Sequence, residues 1–275
     1  MSMTVSLTQY SVIKLSGVDA TSFLQGQVSC DVTKLTDANW LAGSHCNAKG
    51  KMWSTFIAKK IDDALYLIAT KDSAAASLAE LNKYGVFAKA DIVDDTANWH
   101  VYGSDHVNAQ GFNFELAPGH VLILSKDEIE TSGDAAQWWH QEVLSGRAHL
   151  YAKTIGEYVP QMLNLQALDY ISFNKGCYMG QETVARMRYL GKNKRALFVA
   201  SIDQPVEFEI GQDVYVALNG NRRAQGKVIN FSNYQGETAV QLVLPKDIEQ
   251  QPIYINQDDD TALSLLELPY SLAEN

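Results

Sequence analysis

The sequence predicts an α+β protein whose last third is a small antiparallel β-barrel or sandwich. Three observations predict it. Strand-like and helix-like runs alternate through the first two-thirds without the long helical crossovers of a doubly wound parallel sheet. Beyond Arg195 the chain becomes six short strand-like runs separated by Gly/Asn/Asp clusters. Finally, 275 residues at 46% hydrophobic and 20% charged form an ordinary globular composition, long enough for two or three domains.

Residues 5–15 mix alternation with β-branched residues and end at Ser16-Gly17, which reads as a strand or two with a turn. Asp19 is placed to cap a short helix carrying Phe23 and Leu24 and stopped at Gly26. Residues 40–43 and 52–58 form the arms of a hairpin around the turn at 47–50, and Asp62-Asp63 turns the chain into a strand over 64–69. The clearest helix spans 72–84. Asp72 or Ser73 supplies its cap, Ala75, Leu78, Ala79 and Leu81 its buried stripe, and Gly85 a left-handed residue just past its end. Strands near 90–93, 100–102 and 121–124 follow, then helices over 134–144, closed by Gly146, and over 182–190, between Gly180 and Gly191. The barrel runs are 196–202, 213–218, 224–231, 238–244, 252–256 and 262–266. Asn219-Gly220 reads as a hairpin turn, because both central positions of a type I′ turn need positive φ. A domain boundary near Lys194 separates the two characters.

The 22 Lys+Arg against 32 Asp+Glu give a net charge of −10, which argues against indiscriminate nucleic-acid binding. The charge is uneven. Between 186 and 195 stand Arg186, Arg188, Lys192, Lys194 and Arg195 with no acid, either a solvated helix end or an anion site. The longest apolar run, 64–69, falls far short of the ~20 residues that span a bilayer. The first nine residues show neither the basic nor the apolar part of a secretory signal. Three cysteines with no CxxC pair fit free thiols in a reducing compartment, so a cytoplasmic location without membrane attachment is expected. Neither the cysteines nor the histidines show metal-ligand spacing, and the phosphate-binding glycine loops and nucleophile elbow are missing. No metal site, nucleotide hydrolysis or hydride transfer is expected.

Chemistry concentrates in residues 173–186. Gly176 and Gly180 flank Cys177, Lys175 stands beside it, and Arg186 and Arg188 lie downstream. A thiol just before a helix N-terminus among cations is where a thiolate is favoured, although a free cysteine is also commonly a small buried hydrophobe. Trp138 and Trp139, adjacent on a helix, point about 100° apart, so one packs while the other can line a pocket.

Lys175-Gly176-Cys177-Tyr178-Met179-Gly180-Gln181-Glu182 resembles the K-G-C-Y-x-G-Q-E signature of the folate-binding tRNA-modifying YgfZ family, which is related to the aminomethyltransferase (T protein) of the glycine cleavage system. The blocks 25–32, 45–54, 160–173, 193–197 and 269–272 resemble that family too. The resemblance implies the three-domain aminomethyltransferase-like fold, α+β with a C-terminal antiparallel β-barrel. Residues 1–50 with 134–193 would form a discontinuous folate-binding α+β domain, 51–133 an inserted α+β domain with an antiparallel sheet, and 194–275 the barrel. It implies tetrahydrofolate or a derivative as cofactor, and a role in tRNA thiomethylation through assembly or repair of iron–sulfur enzymes. Partners would be iron–sulfur enzymes such as tRNA methylthiotransferases, met indirectly or transiently, with direct tRNA binding disfavoured by the acidic charge. Cys177 is implied as the active residue, supported by Lys175, Gly176, Tyr178, Gly180, Gln181 and Glu182. Trp138 matches one folate-associated tryptophan, the other falls on Tyr10, and Arg186 and Arg188 are candidates for anion binding. The aspartate that aminomethyltransferases use falls here on Ser54, next to Thr55, so transfer of a glycine-derived aminomethyl group is not expected. The alternative is a folate-dependent one-carbon transferase or oxidase with Cys177 as nucleophile.

Overall fold

A computed structural model describes residues 2–191, 193–218, 221–248, 251–258 and 261–272. In chain order its elements begin with β1 (Thr4–Ser6), β2 (Tyr10–Ser16), α1 (Ala20–Gln25), β3 (Trp40–Cys46), β4 (Met52–Ile61) and β5 (Ala64–Thr70). Then come α2 (Lys71–Gly85), β6 (Asp91–Asp94), β7 (His100–Ser104), β8 (Phe112–Ala117), β9 (His120–Ser125), α3 (Ala135–Leu144) and α4 (Gln181–Tyr189). Strands β10 (Arg195–Ile202), β11 (Asp213–Leu218), β12 (Asn221–Tyr234), β13 (Glu237–Pro245), β14 (Ile253–Tyr254) and β15 (Ala262–Leu266) complete the chain.

Three antiparallel assemblies result. A five-stranded sheet runs in the order β3-β4-β5-β2-β6, a four-stranded sheet in the order β1-β7-β9-β8, and the last six strands close into a barrel, β10-β13-β12-β11-β14-β15. The five-stranded sheet is covered on both faces. Ile13, Leu15, Leu65, Leu67 and Ala69 pack with Leu24, Ala74 and Leu81 of α1 and α2, whereas Val12, Tyr66 and Ile68 face Val101, Phe114, Leu122 and Leu124 of the other sheet. Double-sided burial is why β5 reads as an unbroken apolar run instead of alternating. The barrel is filled by Val214, Val216, Val228, Val240, Leu242 and Ile253. It is fastened to α3 and the residues just after it by Gln241, whose Nε2 donates to the carbonyls of Val143 and Arg147 at 2.9 and 3.1 Å. No helix among the described residues is long and apolar enough to cross a membrane, and among them no group of three His, Cys, Asp or Glu could hold a metal ion.

Several expectations are corrected. A division after residue 50 falls inside the β3–β4 hairpin, where Trp40 pairs with Lys59 and His45 with Ser54, so residues on either side share one sheet. Gly85 is the last residue of α2 and is not left-handed. It is small because Ile92 lies against it, and an added Cβ would sit 2.8 Å from the Ile92 side chain. Helix α2 starts after Thr70, and Asp72 reaches across to accept the Ala152 N–H at 2.9 Å while Ser73 donates to Ser54 at 2.8 Å. Asp19 precedes α1 without capping it, its carboxylate taking the Lys89 N–H instead. Strand β8 was not expected, because it is the edge of its sheet and Phe114 alone among its residues is fully buried. The turn expected at Asn219-Gly220 lies outside the described residues.

Candidate functional site

Cys177 lies exposed at the surface, and an added Cβ on Gly176 beside it would meet nothing within 4 Å. Behind this open edge the loop is clamped. Lys175 turns inward and its Nζ donates to the carbonyls of Gln25, Val28 and Cys30, each at 2.7 Å. The Met179 N–H donates to Gly26 and the Ser172 N–H to Ser29. Burial pulls the Lys175 pKa down to about 8, which keeps the ammonium protonated near neutrality with all three donors used. The expected support of a thiolate by Lys175 is therefore overturned, since its charge is spent inside the fold. Tyr178 is buried too, its ring 5.1 Å from that ammonium.

Gly180 enters α4 with φ +82°, and a Cβ there would lie 2.6 Å from the Asn47 carbonyl oxygen and 2.8 Å from Gly50 Cα. Gly50 is equally tight against Thr183 and Gly180. Only a residue without a side chain fits either position. The β3–β4 turn and the start of α4 thus clasp each other, and Cys177 projects just before the clasp. Gln181 donates its N–H to Tyr178, and Glu182 forms an exposed ion pair with Arg186 at 2.6 Å. Such a pair occupies Arg186 while adding little stability. The remaining thiols, Cys30 and Cys46, are buried, and burial pushes both up to about 12. At neutral pH they stay protonated and unreactive.

A second constellation surrounds a cavity of about 20 Å³ bordered by Tyr10, Thr55, Phe56, Glu142, His149 and Tyr170, among others. Glu142, buried on α3, accepts from His120 Nε2 at 2.6 Å, His149 Nε2 at 2.8 Å and Arg147 Nη2 at 3.0 Å. Burial alone would raise its carboxyl, but the Arg147 guanidinium and the histidine hydrogen bonds hold it well below the usual carboxylate range. Tyr10 and Trp139 stack in parallel at 6.0 Å, and the edge of His149 meets both rings. Burial drives the Tyr10 phenol up, as does the neighbouring Glu142 charge.

Trp138 does not belong to this wall. It is fully buried, stacked on His120 at 4.5 Å, flat against Gly103, with Nε1 donating to the Val121 carbonyl. The tryptophan beside Tyr10 is Trp139, so the expected role of Trp138 as an aromatic wall is corrected to core packing. Ser54 is buried and hydrogen-bonded to Ser73, and Thr55 donates to the Ala148 carbonyl, so no carboxylate stands at that place in β4. The carboxylate of the cavity is Glu142, which sequence reasoning missed. The available signal was its position four residues after Trp138, one helical turn along the same buried face.

None of residues 175–182 borders this cavity, and Tyr170 is the cavity residue nearest to them in sequence. Arg188 is elsewhere again, with its guanidinium over the Phe173 ring at 4.0 Å, so the structure does not bring Cys177, Tyr10 and Arg188 into one pocket. A volume of about 20 Å³ is room for a single water. As it stands the cavity does not fit a fused bicyclic ring, although its stacked rings and polar groups suit one in kind.

No family model matches the chain. An uncharacterised protein of Haemophilus influenzae is 34% identical over 282 residues, covering 100% of both chains. The tRNA-modifying protein YgfZ of Colwellia psychrerythraea is 35% identical over 301 residues, covering 98% of this chain and 93% of that one. Among solved structures, the glycine cleavage system aminomethyltransferase T of Bartonella henselae superposes with a TM-score of 0.69 at 13% identity, covering 98% of this chain and 86% of that chain. At that identity the likeness is one of fold.

Proposed function

The chain belongs to the family of the tRNA-modifying protein YgfZ, and from that premise we propose a folate-binding accessory protein that supports tRNA thiomethylation by helping to assemble or repair iron–sulfur enzymes. The observation that carries the reading is the exposed Cys177 on a loop clamped by Lys175 and the two glycines. A thiol is a soft ligand and, once deprotonated, a nucleophile. Exposed on a surface loop, it is placed to meet a docked partner and not a small molecule in the Glu142 cavity. Lys175 acts as a positioning residue, fixing the backbone from which the thiol projects.

Folate enters the proposal through the Tyr10–Trp139 stack and the Glu142 cluster. Binding there requires the wall to part, because the cavity as it stands has room for a single water. No chemical step is assigned to the folate.

Replacing Cys177 by Ser in cells is expected to abolish the protein's support of iron–sulfur enzyme activity and tRNA thiomethylation while the protein accumulates normally; undiminished thiomethylation refutes the thiol role. Tryptophan fluorescence titrated with tetrahydrofolate should show weaker binding for Trp139→Ala than for wild type. Equal affinities move the folate site away from Tyr10.

A further inference from the structure

A further opening is separate from both the thiol loop and the Glu142 cavity. It is a cleft of about 520 Å³ between α4, residues 161–173 and the barrel end, with Phe173, Arg188, Tyr189, Gln161, Gln166 and Lys246 on its walls. This is within the usual range for small-molecule and cofactor sites.

Its walls combine three kinds of group. The first is planar. The Arg188 guanidinium lies over the Phe173 ring at 4.0 Å and 5.7 Å from the Tyr189 ring centre, and Tyr189 is 69% exposed. The second is cationic. Among the described residues neither Arg188 nor Lys246 forms an ion pair with a carboxylate, whereas Arg186, two residues from Arg188, is paired with Glu182. Asp169 is the acid of the lining. The third is an unmet hydrogen-bond requirement. Gln161 is only 3% exposed, its Nε2 donates to the Val184 carbonyl at 2.6 Å, and that bond fixes the orientation of the amide, leaving a buried Oε1 without a donor. The Gln166 Oε1 is likewise buried without a donor. Buried acceptors without partners are rare in folded proteins and mark places where a donor is missing.

We propose that this cleft binds an unpaired nucleotide of an RNA strand. The base stacks against the exposed Tyr189 ring and the Arg188 guanidinium beside it, its amino group serves the glutamine side of the cleft, and its phosphates lie towards Arg188 and Lys246. Single-stranded RNA is recognised in this manner, by stacking on aromatic rings and arginine planes together with hydrogen bonds to base edges. The proposal rests on the family membership for the choice of RNA and is independent of both Cys177 and the folate cavity. It also meets the objection raised by the overall acidity. A net charge of −10 opposes binding by charge alone, so contact is confined to a local patch in which stacking supplies most of the affinity.

The test is fluorescence anisotropy of labelled RNA hexamers with the intact protein. Oligo(rA) is expected to bind about fivefold more tightly than oligo(rU), which lacks the amino group. Arg188→Ala should weaken oligo(rA) binding about tenfold or more. Arg188→Ala and Lys246→Ala should each flatten the log–log salt dependence by about 0.7, the contribution of one phosphate contact on a single strand. Thermal unfolding and tetrahydrofolate titration are expected to be unchanged in both variants, which separates failure of the cleft from failure of the folate reading. The proposal is overturned if no oligomer binds, if neither variant alters binding, if AMP binds as tightly as the hexamer, or if Arg188→Ala weakens folate binding instead.

Discussion

The thiol loop and the Glu142 cavity solve opposite problems with the same chemistry. In the loop a charged group is buried while a thiol stands outside: Lys175 satisfies three carbonyls, and Cys177 is left exposed on a fixed backbone. At the cavity the polar groups are turned inward, and Glu142 accepts hydrogen bonds from Arg147, His120 and His149. The difference teaches that a conspicuous charge is not a spare one. Lys175 and Glu142 are fully engaged within the fold, whereas Cys177 and Arg188 are the groups with capacity left for a partner.

The comparison is most easily broken at Glu142. Glu142→Ala leaves Arg147 buried without its counter-charge, and a loss of about 3–5 kcal/mol of stability is expected in urea unfolding. The same carboxylate makes a pH prediction. Because its folded-state pKa is depressed, ionised Glu142 contributes stability above the unfolded value of about 4.3, and that contribution drains away as pH falls towards the lower folded value. The stability gap between wild type and Glu142→Gln should therefore narrow on acidification below about pH 4.3, and a gap that stays constant removes the ion-pair account. Lys175→Met should cost about 3 kcal/mol, since three carbonyls lose their donor at once, and should raise protease sensitivity around residues 25–30 and 173–180. Smallest of all, Cys177→Ser should change stability by less than about 0.5 kcal/mol, as expected for an exposed side chain. A large destabilisation there would make the thiol part of the structure and erase the contrast.

Much of the fold was legible because local chemistry and tertiary packing agree. The Asn47–Gly50 turn, the apolar 64–69 run and the helix capped by Asp134, whose carboxylate accepts the Ala136 N–H, all declare themselves through residue type and period. The exposed cysteine was legible as a candidate because glycines flank it. What could not be read is what depends on partners far away in sequence. Whether Lys175 points at the thiol or at Gln25, Val28 and Cys30 is decided by a segment roughly 150 residues earlier. Which of two adjacent tryptophans enters the core is decided by the flat seat that Gly103 offers Trp138. Glu142 escaped notice because a buried carboxylate is tolerated only when its hydrogen-bond donors arrive, and His120 and His149 lie outside α3.

The clasp between Gly50 and Gly180 carries a consequence for synthesis on the ribosome. Its halves are separated by most of the N-terminal two-thirds of the chain, so the hairpin emerges and folds well before its counterpart leaves the exit tunnel. Until then Cys177, three residues before Gly180, has no fixed backbone to stand on. The docking of two bare backbones is thus a late step, and a truncated or half-made chain cannot hold Cys177 on the backbone that the finished fold fixes.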